Sequence, residues 1–347
     1  MLKDFHPEKC GSRSGTLGAL ALILCALIFH ALSTGRYPLA LGDILHFLAA
    51  SCGWADMPGE RYALLYNILV EIRLPRVLAA ILIGASLSIS GAAFQGVFQN
   101  PLVSPNLLGV LSGAAFGAAL GLLLNGSWFF VQASAFSCGI AGVFLALLVA
   151  RAFGQDSLLM LILGGIISGA FFSALLSIVK YAADPENTLP GIVIWLMGSL
   201  SATTLEDTLW LLAPVMALIL ALSLLGRWLD ATAMGDDEAR ALGVPVGFAR
   251  YAVICCATLL SSVTVSLAGM IGWVGLVIPH IARLITGPGH RLLLPASALL
   301  GASFLLFSDL VARNASSQEI PIGIITELFG IPVFLIVLRR ARRGWNA

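Results

Sequence analysis

Three arginines, Arg73, Arg76 and Arg313, have the side-chain type that recognises carboxylates. Arg73 and Arg76 are three residues apart, so they share one face if this segment is helical, and Pro75 stiffens the turn between them. A guanidinium group binds a carboxylate through two parallel hydrogen bonds. We therefore predict that the three arginines bind an acidic partner. Simple anchoring at a water–lipid interface is the alternative interpretation.

Motifs for nucleotide hydrolysis or for nucleophilic and metal catalysis do not occur in the sequence. None of the three lysines follows a glycine, which excludes a phosphate-binding GxxxxGK[ST] loop. GxSxG and HExxH are also missing, and the six cysteines form no CxxC pair. His280 has no second histidine or acid three or four residues further on. We predict no catalytic residues, no metal site and no cofactor bound by this chain.

Two acids, Asp309 and Glu327, lie near the ends of apolar segments. Ionisable groups inside a membrane are costly, and those that occur there often relay protons in ion-driven transporters. Near a boundary, hydration lowers this cost, so we expect Glu327 to form a structural hydrogen bond to a neighbouring helix. A secondary transporter driven by an ion gradient and an intramembrane enzyme are the alternative functions.

The segments that carry these residues are strongly apolar. Of 347 residues, 59% are hydrophobic and 11% are charged, and the mean hydropathy is +0.97, whereas soluble domains carry roughly a quarter charged residues. A spanning helix needs about 20 apolar residues. The ten segments that qualify are 16–34, 76–97, 106–124, 128–150, 158–180, 207–227, 250–268, 272–286, 292–311 and 323–338. We predict an all-α polytopic membrane protein with about ten transmembrane helices.

The first segment follows a polar tail and lacks a convincing cleavage site, so we expect it to be retained as a helix. One transmembrane domain then covers 16–340, between an N-terminal tail (1–15) and a basic tail (341–347). Placing both termini in the cytoplasm puts thirteen of the 19 lysines and arginines on the inner side, as the positive-inside rule requires. The net charge of +1 argues against a nucleic-acid partner.

The longest inner connection, about 230–250, contains a short polar helix. Acids at 236–238 begin it and Gly243 follows its end, which is a typical start and stop pattern. We interpret this helix as a partner-docking element; an ordinary solvated loop is the alternative. On the outer side, an amphipathic segment near 41–48 and an eight-residue apolar stretch at 192–199 predict surface or re-entrant helices.

Long motifs resemble one family of transporters. The block from Arg73 onward, RLPRVLAAILIGASLSISGAAFQGVFQNPLVSPNLLGVLSGA, is similar to the core of the FecCD-type permeases. These are the membrane subunits of ABC importers for iron–siderophores, haem and cobalamin. Four later motifs agree in family order: IWLMGSLS, ARALGVPV, GMIGWVGLVIPHIARLITGPGHRLLLPASALLGASFLLFSDLVAR and EIPIGIITELFGIPVFLIVLRR. The likeness covers about residues 60–340.

The resemblance implies a type II ABC importer permease in a bacterial or archaeal plasma membrane. It implies a second permease copy or close paralogue, two ATPase subunits that hold ATP and Mg²⁺, and a periplasmic or lipoprotein substrate-binding protein that Arg73, Arg76 and Arg313 would contact. The residues it assigns to ATPase coupling are Asp237, Glu238, Arg240, Ala241, Leu242, Gly243 and Val244. Those it assigns to the gate and translocation path are Gln95, Asn100, Pro101, Leu102, Leu158 and Leu159. The expected cargo is an iron–siderophore or a similar metal chelate, with haem, cobalamin or another metal complex as alternatives.

Overall fold

The computed structural model describes residues 13–152, 158–316 and 318–345, which are mostly helical and contain no strand. The α-helices in chain order are α1 (Arg13–Ser33), α2 (Leu41–Ser51), α3 (Gly59–Tyr66), α4 (Leu74–Val97), α5 (Val110–Leu123), α6 (Trp128–Ala152), α7 (Leu158–Ala182), α8 (Thr188–Met197), α9 (Leu205–Thr232), α10 (Asp236–Ala241), α11 (Val246–Ala268), α12 (Val274–Thr286), α13 (His290–Asn314) and α14 (Ile322–Trp345). A π-helical segment, Asn67–Arg73, joins α3 to α4, and a 3-10 turn, Pro105–Leu108, precedes α5.

All ten segments predicted to cross the membrane fall on helices, but three of the apolar stretches are short: α5, α12 and the first part of α14, Ile322–Val337. In the described residues, seven helices are long and apolar enough to span a bilayer alone. The predicted spans 106–124 and 272–286 each begin before the α-helix does, so α5 has 14 residues and α12 has 13. A 13-residue helix rises only about 20 Å, against a hydrocarbon core of about 30 Å. The number of ten full crossings is therefore approximate.

Helix α4 lies at the centre of the bundle and packs against α9, α11, α12 and α13. Most of its residues from Val77 to Val97 are buried, and many of them are glycine, alanine or serine. Small residues let helix backbones approach closely, which is a main source of helix association in lipid. The glycine-rich sequence of α4 explains how one helix can contact four neighbours.

Two glycine pairs show how close these backbones are. A Cβ atom built on Gly84 of α4 would lie 2.3 Å from the carbonyl oxygen of Gly301 in α13. A Cβ atom on Gly91 would lie 1.8 Å from the carbonyl oxygen of Gly275 in α12. No side chain fits at either contact unless the helices move apart.

We expect Gly84→Ala to destabilise the protein by about 1–3 kcal/mol, the usual cost of overpacking a well-packed core. Because the neighbouring atom belongs to the backbone, side-chain rotation cannot relieve the clash. Gly18→Ala in α1 is the matched control, since nothing lies within 4 Å of a Cβ atom there. The midpoint of thermal unfolding in detergent measures both variants. An unchanged midpoint for Gly84→Ala would contradict the close approach of α4 and α13.

The two ends of α4 define two ends of the bundle, about 36 Å apart for 24 residues. At its first residues, Arg76 meets Asp309 near the end of α13. Just past its last residues, the Gln99 amide donates to the carbonyl of Thr232, the final residue of α9. We call the first the arginine end and the second the α10 end, because α10 follows α9 directly.

The connections at the arginine end contain the surface helices that the sequence predicts. The amphipathic segment near 41–48 forms α2, whose buried residues are Ile44 and Phe47. An ion pair between Arg61 and Asp43 joins α3 to α2. The apolar stretch 192–199 lies partly in α8, a ten-residue helix that packs against α5 and α14. These short helices cover the bundle without crossing it.

Candidate functional site

A cavity of about 510 Å³ opens beside the middle of α4. Its walls come from α4, the 3-10 turn, α5, α8, the α11–α12 break and α14. The residues that line it are Leu87, Ser104, Pro105, Asn106, Leu111, Leu196, Met197, Met270, Ile271, Gly272, Trp273, Gly275, Leu276, Gly323, Ile324 and Glu327. Non-helical chain at membrane depth is tolerated where protein buries it or where it lines a water-filled path. The cavity is therefore a candidate for part of a translocation path.

The wall formed by the α11–α12 break is fixed by a strained residue. Trp273 has a φ of +67°, in the left-handed region that bulky residues rarely adopt. Its ring stacks edge-on against Phe334 of α14, with ring centres 6.0 Å apart. A Cβ atom on Gly330 would lie 2.7 Å from the Trp273 Cβ atom, so this contact requires glycine. The α12–α14 packing thus holds the chain break in one conformation.

Glu327 points a carboxylate into this cavity. The side chain is exposed, and within the described part of the chain it has no hydrogen-bond or ion-pair partner. The structural hydrogen bond expected from the sequence is therefore not formed among these residues. The expectation was wrong because Glu327 lies on the face of α14 that borders the cavity, so its carboxylate faces open space instead of a neighbouring helix.

Four of the six predicted gate residues lie together at the α10 end of α4. The buried Gln95 amide accepts a hydrogen bond from Arg283 of α12 at 3.2 Å and donates to the Leu276 carbonyl at 3.3 Å. Asn100 Oδ1 accepts from the backbone N–H of Leu102 at 2.9 Å, which closes a tight turn around Pro101. Side chains from α12 therefore clamp both the end of α4 and the turn that follows.

His280 of α12 is a residue of this clamp that the sequence did not assign. Its Nε2 atom lies 2.9 Å from the carbonyl oxygen of Pro101. Because a carbonyl can only accept, Nε2 carries the proton in this contact. The ring also packs against Phe334, with centres 5.7 Å apart. The only sequence signal was a histidine inside an apolar segment, which does not identify its partner.

The other two predicted gate residues, Leu158 and Leu159, begin α7. Leu158 is half-buried and lines a second cavity with Arg240 and Arg250, whereas Leu159 is 60% exposed. Neither residue lines the central cavity. The rest of the predicted connection, 154–157, lies outside the described residues. A gate role for Leu158 and Leu159 stays a prediction.

The predicted docking helix forms as α10 and projects from the bundle. Ala239 is completely buried, so it anchors the helix, while Asp237 and Arg240 form an exposed ion pair at 2.8 Å. Arg250 of α11 pairs with Asp236 at 3.1 Å and fixes the first turn. Around this anchor, the residues predicted for coupling present charged and apolar groups together: Asp237, Glu238, Arg240, Ala241, Leu242, Gly243 and Val244. The Leu242 side chain is 65% exposed.

The arginine end contains a buried charge cluster. Asp309 has no exposed surface, and its carboxylate accepts from Arg76 Nε at 2.7 Å and lies 3.4 Å from Arg313 Nε. Glu319 pairs with Arg76 Nη1 at 2.8 Å and is partly exposed. The Arg313 guanidinium also donates to the carbonyl of Ala31 at 2.9 Å. This cluster ties α1, α4 and α13 together.

Arg73, the third predicted docking arginine, is also buried and turned inward. Its guanidinium donates to the carbonyl of Leu32 in the last turn of α1 and to the carbonyl of Tyr37 in the connection that follows. The three arginines therefore lie at one end of the bundle, as the sequence predicts, but they already have partners within the chain. A carboxylate from outside would have to compete with these partners, and the docking role remains a prediction.

Asp309 is the residue whose importance the sequence underestimated. We expected hydration at the boundary to lower its cost, whereas the structure buries it between two arginines. The signal that was available is its position four residues before Arg313, a spacing that favours an ion pair along a helix. In the described ranges, no group of three or more His, Cys, Asp or Glu is arranged to hold a metal ion.

Comparisons with known proteins agree with this geometry. The model of the FecCD transport family matches residues 22–340. The molybdate import system permease MolB of Haemophilus influenzae is 39% identical over 328 residues, covering 94% of this chain and 96% of the relative. The vitamin B12 import permease BtuC of Escherichia coli O9:H4 is 38% identical over 309 residues, covering 88% and 94%. A Helicobacter pylori (strain 26695) permease named for iron chelatin transport is 40% identical over 287 residues, covering 82% and 86%.

Solved structures agree as well. A transporter described as a metal-chelate type ABC transporter, in an inward-facing conformation, matches with a TM-score of 0.84 and 37% identity, covering 94% of this chain and 99% of the other. The all-helical fold is that of a type II ABC importer permease. The chain is a multi-pass membrane protein and a permease subunit of an ABC importer, and it belongs to the FecCD transport family.

Proposed function

We propose that this permease imports an iron–siderophore or a similar metal chelate into the cytoplasm, powered by separate ATPase subunits. The central cavity supports the proposal, because a 510 Å³ space lined by chain breaks at mid-bundle can hold part of a bulky chelate. Relatives named for iron chelatin and vitamin B12 support a chelate cargo, and the relative named for molybdate supports an oxyanion as the second candidate.

The path is completed by a second permease copy or a close paralogue in this proposal. The cavity is bordered by α14, whose outward face carries a row of exposed apolar residues at helical spacing: Ile324, Leu328, Ile331 and Leu335. Both termini and α10 lie on the cytoplasmic side, and two ATPase subunits, which hold ATP and Mg²⁺, bind the α10 surface. The exposed Leu242 beside charged groups is typical of a docking surface with an apolar centre.

The substrate-binding protein docks at the arginine end in this proposal. Of the acids in the charge cluster there, Glu319 is the more exposed, so an incoming carboxylate can replace it on Arg76 without exposing Asp309. Closure of the ATPases then shifts the path between outward and inward access, since the energy enters as different affinities for two conformations. This chain performs no chemistry on the cargo.

Uptake of radiolabelled cargo tests the proposal in cells that lack this chain. The panel contains iron–siderophores, haem, cobalamin and molybdate, each with and without the wild-type copy restored. We expect uptake of one metal-chelate class to disappear and to return with the copy. If the restored copy rescued only molybdate uptake, the cargo would be an oxyanion and not a metal chelate. Uptake that survives loss of the ATPase but stops with an uncoupler would contradict ATP-driven import.

A further inference from the structure

The charged side chain in the wall of the central cavity is acidic. Glu327 is the charged residue among the described residues that line it, and no lysine, arginine or histidine accompanies it there. Its other side chains with polar or polarisable atoms are uncharged: Ser104, Asn106, Met197, Met270 and Trp273. A cavity with low-dielectric walls and one sign of charge concentrates ligands of the opposite sign. Such a wall attracts cations and repels anions.

One helix start that could attract an anion here is already compensated. Helix α12 begins at Val274, and the start of a helix carries a partial positive charge that often binds anions. Glu327 Oε1 lies 3.7 Å from the position that a Cβ atom would take on Gly272, two residues before this helix start. The carboxylate therefore occupies the side of the cavity where an oxyanion would otherwise be stabilised.

We propose that Glu327 makes this path selective for neutral or cationic metal chelates that carry hydrogen-bond donors, and that it disfavours oxyanions such as molybdate. The inference rests on the proposed function, since the cavity must belong to the translocation path. In a pair of permeases, two carboxylates would face one path and strengthen the effect. Glu327 accepts hydrogen bonds from amide, amine or ammonium N–H groups of the cargo. The thioethers of Met197 and Met270 contact the apolar parts of the cargo.

Thiol modification measures the charge of the cavity without any cargo. In full-length protein with the six native cysteines replaced, Asn106→Cys places one thiol in the cavity wall. We compare its reaction rates with a cationic and an anionic methanethiosulfonate reagent. Replacing Glu327 by glutamine should lower the ratio of cationic to anionic rates by about tenfold. Met234→Cys on the exposed surface near α10 is the control, where the ratio should not change. A ratio at position 106 that is the same with and without the Glu327→Gln substitution would overturn the inference.

Uptake then tests the cargo class, with three probes of defined charge: a ferric trihydroxamate that carries a free ammonium group, an anionic ferric tricatecholate and molybdate. We expect Glu327→Gln to reduce uptake of the cationic probe several-fold. The control variant Glu60→Gln, at an exposed site outside the cavity, should take up the same probe at the wild-type rate. Faster or equal uptake of the cationic probe by Glu327→Gln, or wild-type preference for either anionic probe, overturns the charge selectivity while import itself stands. Wild-type failure to import any metal complex would instead overturn the proposed function, whatever the thiol rates show.

Discussion

Replacing Asp309 with alanine should destabilise the protein by about 3–5 kcal/mol, because it removes the carboxylate beside buried Arg313 and leaves Arg76 with Glu319 alone. The Asp309 side chain is fully buried, and the side chains of Arg76 and Arg313 are only 12% and 9% exposed. Water cannot replace the lost carboxylate at such a site. We expect little folded protein in the membrane and a much lower midpoint of thermal unfolding in detergent for what remains.

Two further variants separate the charge of Asp309 from its size. Asp309→Asn keeps the shape and one acceptor oxygen, so we expect a loss smaller than that of alanine but still measurable. Asp237→Ala is the matched surface control, because its pair with Arg240 is 93% and 61% exposed and such pairs contribute about 0–1 kcal/mol. If Asp309→Ala unfolded at the same temperature as Asp237→Ala, the buried cluster would not hold α4 and α13 together.

The sequence predicted the helical segments well because apolar length is a local property. Each of the ten predicted spans falls on a helix, and α2, α8 and α10 also appear where amphipathic or capped patterns indicated them. The lengths of α5 and α12 were overestimated, since apolar composition continues through the 3-10 turn and through Gly272 and Trp273. Whether an apolar residue is helical at such a break depends on the packing of its neighbours, which composition does not record.

The partners of charged residues could not be predicted in the same way. Arg76 and Asp309 are 233 residues apart, and only the packing of α4 against α13 brings them together. His280 and Pro101, 179 residues apart, meet for a similar reason, through the contact of α12 with α4. The sequence indicated which residue types were costly to bury, but the fold decides which of them pair and which, like Glu327, face a cavity.

Reversing the charge of Arg240 should reduce transport by tenfold or more while leaving the fold intact, provided that α10 is the ATPase-docking element. The side chain is 61% exposed and its ion pair is a surface one, so its loss costs little stability. At an interface, by contrast, an unmatched charge acts against the partner, and about 1.4 kcal/mol is sufficient for a tenfold weaker complex. We expect Arg240→Glu to insert into the membrane, to unfold at the wild-type temperature and to copurify poorly with the ATPase.

Arg240→Lys is the matched variant, because it keeps the positive charge at the same exposed position. We expect it to retain most of the transport and most of the bound ATPase, whereas Arg240→Glu loses both. If Arg240→Glu lost transport but still bound the ATPase normally, α10 would be needed to transmit closure of the ATPase subunits to the permease and not for docking. Normal transport by Arg240→Glu would remove α10 from the coupling role altogether. The buried Ala239 would then be explained by packing alone, and the contact with the ATPase would have to be sought elsewhere at this end of the bundle.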